Sequence, residues 1–151
     1  MSFATFQDIV KYAVEKETEA VQFYTEASGH EQYAAARETF LAFAEEEKKH
    51  KALFEKFDPA AIANYQFTNI ADLKRSDYMV EAKYKPGMAY PDILRLAMKR
   101  EENAKKFYDD CVRLAAKEEQ KKLFQMLSQE EAKHKLALET LYDDEMAKSG
   151  D

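Results

Sequence analysis

Apolar residues along the chain recur at alternating steps of three and four residues, which is the spacing of one face of an α-helix. This pattern predicts four long helices, over about residues 3–28, 31–57, 91–116 and 117–146. Short turns join the first two helices and the last two, so each pair is predicted to be an antiparallel hairpin. With 3 Gly and 3 Pro in 151 residues, few helix-breaking residues interrupt these segments. The sequence therefore predicts an all-α fold.

A long connection, residues 58–90, separates the two hairpins, which cover about 3–57 and 91–147. An extended chain spans up to ~3.3 Å per residue, so this segment is long enough to run back along the whole bundle. Its aromatic residues predict that it packs on the helices, and a helical turn is predicted near 70–75. Two hairpins joined by one long crossover describe a ferritin-like four-helix bundle. We expect a single domain over residues 1–151.

The two hairpins carry an internal repeat. Residues 17–24, ETEAVQFY, and 101–108, EENAKKFY, share Glu-x-x-Ala-x-x-Phe-Tyr at an offset of 84 positions. Glu-x-x-His occurs at 47–50 and again at 131–134, at the same offset of 84. Because both motifs keep one spacing, the hairpins are predicted to be copies of one unit.

Each predicted helix carries an apolar stripe, which we call its heptad seam. Ionisable residues interrupt the seam of every helix. Six of them lie on the seams: Glu17, Glu47, His50, Glu101, Glu131 and His134. The neighbouring lysines and glutamates fall off the seams and are predicted to be solvated. No Lys or Arg shares the seams, and burying an unpaired charge costs several kcal/mol. Four converging carboxylates would also repel one another, whereas two divalent cations would neutralise them.

The spacing of these residues suits metal binding. A Glu and a His three positions apart lie on one helical face, so both can reach one cation. One Glu from each of two helices plus Glu-x-x-His from the other two is the ligand set of di-iron and di-manganese carboxylate bundles. The alternative is a buried network of salt bridges.

In these motifs the sequence resembles the rubrerythrin branch of the ferritin-like di-iron proteins, over essentially the whole chain. The resemblance implies two iron ions bridged by Glu47 and Glu131, with Glu17 and Glu101 as terminal ligands. By the same resemblance, His50 and His134 bind one metal each: the metal ligands are Glu17, Glu47, His50, Glu101, Glu131 and His134. Manganese and zinc are alternative metals.

Two features depart from that family pattern. Many rubrerythrins carry a further Glu one turn after the third-helix Glu, and Ala104 stands there in this chain. Ligand exchange at that carboxylate is therefore not expected, and the centre is expected to be more symmetric. Cys111 is the only cysteine, so the sequence predicts no disulfide and no rubredoxin-like domain with paired Cys-x-x-Cys motifs.

Tyr24 and Tyr108 lie two turns from Glu17 and Glu101 on the same helical faces. They are interpreted either as hydrogen-bond donors to a ligand carboxylate, or electron donors, or as core aromatics whose hydroxyl needs a partner. Ala20 and Ala104 either leave room for a small oxidant or allow close helix packing.

The resemblance implies an oxidoreductase that reduces hydrogen peroxide or O₂ in oxidative-stress defence, supplied by an external electron donor such as a rubredoxin-like protein. The alternative is a ferroxidase or an iron storage or delivery protein. A third possibility is a bundle that holds zinc or manganese without redox turnover. By resemblance we also expect a homodimer, and the long crossover would permit exchange of hairpins between protomers.

The charge pattern excludes other classes. The net charge is −6 with no long basic run, which argues against nucleic-acid or anionic-membrane partners. No apolar stretch has the length of a membrane span, and the first residues lack a signal-peptide pattern. A cytoplasmic location is expected.

Overall fold

The chain forms a bundle of four α-helices. The structure is a computed structural model and describes residues 6–29, 34–56, 84–115 and 117–148. The helices are α1, Phe6–Ala27; α2, Ala34–Glu55; α3, Tyr90–Leu114; and α4, Glu118–Lys148. Within each hairpin, α1 packs along α2 and α3 along α4, while α1 also meets α3 and α2 meets α4. The predicted all-α bundle of two helical hairpins is confirmed.

The segment before α3 shows how local chemistry sets a helix start. Gly87 has a φ of 87°, and the Met88 N–H donates to the Lys85 carbonyl at 3.1 Å. A turn with Pro86 followed by a residue at positive φ favours Gly at that position. Pro91 then lies in the first turn of α3, where its missing N–H leaves no helical hydrogen bond unmade.

The predicted helix ends are close to the observed ones. Helix α3 ends at Leu114, two residues before the predicted end, because Ala115 has an extended backbone at φ −69°, ψ 137°. Apolar spacing shows which face is buried, but it does not show where the helical hydrogen bonds stop. The predicted path of the crossover over 58–83 and its helical turn near 70–75 lie outside the described residues.

The core has two apolar clusters, one towards each end of the bundle. The first joins the start of α1 to the facing ends of α2, α3 and α4; it contains Ile9, Val10, Tyr12, Ala13, Phe54, Phe107, Tyr108, Cys111, Leu114, Phe124 and Leu127. The second joins the other ends; it contains Phe23, Tyr24, Ala27, Ala36, Phe40, Phe43, Ala44, Tyr90, Ile93, Leu94, Leu96, Ala97 and Leu138. Most of these residues lie on the predicted seams, and the six ionisable seam residues lie along the chain between the two clusters.

The last residues before α3 cover part of this core. Tyr84 packs edge-on against Phe23, with ring centroids 6.2 Å apart. For Tyr84, the prediction that the aromatic crossover packs on the helices is therefore confirmed. Across the described helices, none combines the length and the apolar character that crossing a bilayer requires.

The core position Leu138 and the surface position Leu136 make a matched test of this packing. Leu138 is fully buried, whereas Leu136 is 65% exposed two residues away on the same helix. We expect Leu138→Ala to lower the free energy of unfolding by about 2–5 kcal/mol, through lost burial and the cavity left behind. Leu136→Ala should change it by less than about 0.5 kcal/mol. Denaturant unfolding of both variants measures this, and equal losses would contradict the packing.

Candidate metal centre

Ionisable side chains from all four helices meet in the middle of the bundle. The six predicted residues are each at most 5% exposed: Glu17, Glu47, His50, Glu101, Glu131 and His134. Each stands where the seam of its helix continues between apolar residues, so the packing that forms the core also turns these groups inward. The structure therefore brings all six together, while their role as ligands stays a prediction.

The first group of side chains surrounds His50. Its ring nitrogen Nδ1 lies 3.3 Å from Glu131 Oε1, and 3.7 Å from both Glu17 Oε2 and Glu47 Oε2. One ligand atom from each of these four residues lies within 4.8 Å of the others. This is the spacing of atoms that can share one cation.

The second group surrounds His134 in the same way. Its Nδ1 lies 3.1 Å from Glu47 Oε1, 3.5 Å from Glu101 Oε1 and 3.9 Å from Glu131 Oε2. Again the four ligand atoms lie within 4.8 Å of one another. Glu47 and Glu131 belong to both groups, so they stand between two positions that can each hold a cation.

The hydrogen bonding of these atoms tests whether metal ions fit the site. The atoms that are buried and make no hydrogen bond include one from each of the six residues: Glu17 Oε2, Glu47 Oε1, His50 Nδ1, Glu101 Oε2, Glu131 Oε1 and His134 Nδ1. A buried polar atom left without a partner costs about 1–3 kcal/mol. Carboxylate oxygen with imidazole nitrogen is a donor set that suits iron, manganese and zinc. The residues present therefore fit a pair of divalent cations.

A salt-bridge network explains the site less well. Within the described part of the chain, the buried polar side chains include no Lys or Arg. Two protonated histidines would supply two positive charges against four carboxylates. Two of the four carboxyl groups would then have to stay protonated, because an uncompensated buried charge costs several kcal/mol, so this network balances its charge only by binding further protons.

Burial and mutual repulsion set the acidities of this metal-free cluster. Burial, together with the charge of Glu47, raises the pKa of Glu17 well above its usual range. Burial and the charges of Glu101 and Glu47 do the same to the pKa of Glu131. Protons therefore compete with cations for these carboxylates.

The pKa values of the two histidines are raised as well, but here the cause is the neighbouring carboxylates and not burial. Burial disfavours the imidazolium, but the Glu17 and Glu47 carboxylates outweigh it and raise the pKa of His50 to about 10. In the same way, Glu101 and Glu47 raise the pKa of His134 to about 11. Both rings are therefore protonated at neutral pH when no metal is bound.

Tyr24 and Tyr108 tie the two hairpins together at this layer. The Tyr24 hydroxyl donates to Glu101 Oε1, and the Tyr108 hydroxyl donates to Glu17 Oε1. Burial, then the nearby carboxylate, raises the pKa of each phenol well above its usual value, so each keeps the proton that it donates. In both glutamates the oxygen without a hydrogen bond is the other one, Oε2.

These contacts fit both interpretations of the tyrosines: each is a core aromatic of one apolar cluster, and its hydroxyl donates to a carboxylate of the buried layer. The partner is not the glutamate two turns away on the same helix. It is the equivalent glutamate of the other hairpin, a pairing that sequence spacing alone does not reveal.

Glu46 is a residue of the site that the sequence reasoning missed. It was predicted to be solvated with the flanking glutamates, but its Oε2 pairs with His134 Nε2, although its side chain is 44% exposed. A carboxylate only accepts hydrogen bonds, so Nε2 carries a proton that it keeps, and a cation that binds this ring displaces the proton from Nδ1, the nitrogen that faces the cluster. Phe43 stacks on the same ring with centroids 4.0 Å apart. One general rule could have indicated this residue: a buried His that binds metal through one ring nitrogen needs a hydrogen-bond partner for its other ring nitrogen.

A cavity of about 90 Å³ leads from the carboxylates to the surface between α1 and α3. All four seam glutamates line it, together with Ala20 and Ala104. Both alanines are half-buried rather than buried. Of the two interpretations of these small residues, the cavity favours room for a small molecule beside the cluster.

Comparisons with known proteins agree with this geometry. The family model described as rubrerythrin matches residues 8–142. A hypothetical protein from Pyrococcus furiosus is similar at 25% identity and a TM-score of 0.73, over 92% of this chain and 89% of that one. A candidate ferritin-like diiron-carboxylate protein from Thermotoga maritima is similar in fold at 18% identity and a TM-score of 0.77, over 96% and 99% of the two chains. The search of curated proteins gave no match. The ferritin-like form of the bundle is thereby confirmed.

Metal binding should depend on pH, because cations must displace protons from the cluster. The pKa values of His50 and His134, about 10 and about 11 in the metal-free protein, lie above neutral pH. Affinity for Zn(II) is therefore expected to rise from about pH 6 to about pH 8 and to fall as the pH drops, with protons released on binding. Titration against a competing chelator measures this. An affinity that does not change over that range would contradict the proton competition.

Glu46→Gln should weaken binding at the position that His134 serves. Removing the negative charge next to Nε2 makes Nδ1 less basic and therefore a weaker metal ligand. We expect a loss of about tenfold in Zn(II) affinity. Glu45→Gln is the matched control, since Glu45 is exposed and pairs with Lys48 at 3.0 Å. Stepwise Zn(II) titration resolves the two sites. Equal Zn(II) affinities of the two variants would show that Glu46 does not support metal binding.

Proposed function

Because this chain belongs to the rubrerythrin family, we propose that it is a non-haem di-iron oxidoreductase that reduces hydrogen peroxide or O₂. The observation that carries this proposal is the pair of four-residue groups that share Glu47 and Glu131 beside an open cavity. When bound there, two Fe(II) ions supply the two electrons that reduction of a peroxide to water requires. The role is a defence against oxidative stress.

The residues of this chain have distinct parts in the proposal. Glu47 and Glu131 would hold both ions, because they belong to both groups, while His50 and His134 would hold one ion each. Glu17 and Glu101 are terminal ligands, and the geometry supports this because each belongs to one group only.

The tyrosines hold the terminal carboxylates in position. Tyr24 and Tyr108 each take one oxygen of Glu101 and Glu17 and leave the other oxygen for metal. The apolar clusters on both sides restrict water, so small oxidants reach the centre through the cavity between α1 and α3. Such a water-poor setting strengthens every electrostatic interaction at the centre.

We further propose that the electrons are restored by a separate donor, such as a rubredoxin-like protein, because the one cysteine, Cys111, is buried and provides no Cys₄ iron site. The functional form is proposed to be a homodimer in the cytoplasm. The external donor and the dimer follow from the resemblance described above.

The iron-loaded protein is expected to consume hydrogen peroxide faster than the metal-free protein. Glu47→Ala removes a ligand common to both positions, so its rate should fall to that of the metal-free protein. Glu45→Ala, two residues away on the exposed side of the same helix, should keep the wild-type rate. The protein is first reduced without O₂, and the loss of peroxide and the iron content of each sample are then measured.

Two outcomes would overturn the proposal. One is that Glu47→Ala and the wild type, each with its iron content measured, consume peroxide at the same rate. The other is uptake of many more than two iron ions per chain in a large assembly, which would favour the iron-storage alternative.

A further inference from the structure

The cavity beside the carboxylates is larger than hydrogen peroxide requires. It measures about 90 Å³, whereas hydrogen peroxide has two oxygen atoms and no carbon. Tyr12, Ala13 and Phe107 add apolar wall to the space left by Ala20 and Ala104. A wall of this kind favours the carbon atoms of an organic molecule, since burial of apolar surface contributes roughly 25 cal/mol per Å².

The outer part of the cavity carries two cationic side chains in different states. Lys16 is paired with Glu19, with Nζ and Oε2 2.9 Å apart. Arg100 lies with its guanidinium carbon 5.2 Å from the centroid of the Phe23 ring. Among the described residues, no carboxylate forms an ion pair with Arg100, and its Nε is buried without a hydrogen-bond partner. The charge of Lys16 is thus neutralised within the protein, and that of Arg100 is not.

An unpaired guanidinium at this place points to an anionic ligand. A buried N–H without an acceptor costs about 1–3 kcal/mol, which a ligand oxygen would recover. The cation–π contact with Phe23 holds the guanidinium at this place, and Arg pairs best with planar carboxylates that accept two hydrogen bonds at once. Arg100 and Glu101 both line this cavity of about 90 Å³, so a molecule of a few carbons can reach from this cation to the cluster.

We propose that the substrate is a small organic hydroperoxide that carries a carboxylate group. Its carboxylate pairs with Arg100, and its peroxide group reaches the carboxylate cluster at the inner end of the cavity. This inference rests on the proposed peroxide reduction and names its substrate class. The O–O bond breaks as two electrons come from the reduced iron pair and two protons are taken up from the buffered solvent. The products are the corresponding alcohol and water, and the external donor returns the two electrons.

Binding can be tested without turnover, in protein loaded with redox-inert Zn(II). Butanoate is the probe, and butanamide is the uncharged control of the same shape. Calorimetry should show that Arg100→Gln weakens butanoate binding about tenfold or more, as expected for loss of a hydrogen bond to a charged group. Lys99→Gln makes the same change of charge on the same helix, but Lys99 does not line this cavity, so its affinity should stay at the wild-type value.

Butanamide should bind more weakly than butanoate, and equally in all three proteins. If butanoate does not bind the wild type, or binds Arg100→Gln as tightly, the proposal is wrong. The second result would mean that the carboxylate binds elsewhere, for example on the metal ions themselves.

Turnover separates this inference from the proposed function. With iron-loaded, reduced protein, Arg100→Gln should lower kcat/KM about tenfold for a hydroperoxide of butanoate, mainly through KM. The same variant should leave the rates with hydrogen peroxide and with butyl hydroperoxide unchanged. A uniform loss with all three oxidants would contradict recognition by Arg100. Failure of the wild type to reduce any of them would instead reject the proposed function, whatever the butanoate binding shows.

Discussion

Charge balance in the buried carboxylate layer is the constraint on which the rest of this structure depends. Four glutamates lie at most 3% exposed in the middle of the bundle, and only two histidines stand among them. Without metal, protons must make up the difference, which is why the pKa values of Glu17 and Glu131 rise. Metal ions remove that need, so metal binding and the stability of the folded state are linked.

The same layer joins the two hairpins. Packing between hairpins is much less extensive than packing within each one. Each four-residue group, however, takes its second bridging glutamate from the other hairpin, and each tyrosine donates its hydrogen bond across the same boundary. Neither hairpin can therefore complete a cation position alone. The internal repeat at an offset of 84 residues has a physical meaning, since two copies of one incomplete unit make the site.

Much of the fold and the six clustered residues were predictable, because a seam with a period of three and four residues fixes which side chains face inward. Glu46 was not, since it lies one position off the seam and its pairing with His134 depends on how α2 meets α4. The partners of Tyr24 and Tyr108 depend likewise on packing between hairpins. Ile9, Tyr12 and Phe23 are buried off the seam because α1 buries a wider face than one stripe. Periodicity describes one helix at a time, and these features belong to pairs of helices.

The repeat is most informative where its two copies differ. The six clustered residues, which are the proposed metal ligands, are the same residue types in both halves. At the cavity, Lys16 corresponds to Arg100 and Glu19 to Asn103, at the same offset of 84. Glu19 neutralises Lys16, but Asn103 carries no charge with which to neutralise Arg100. The symmetric part of the repeat thus contains the proposed metal ligands. The asymmetric part gives the cavity one unpaired cation on one side, and so a direction in which the proposed anionic substrate would bind.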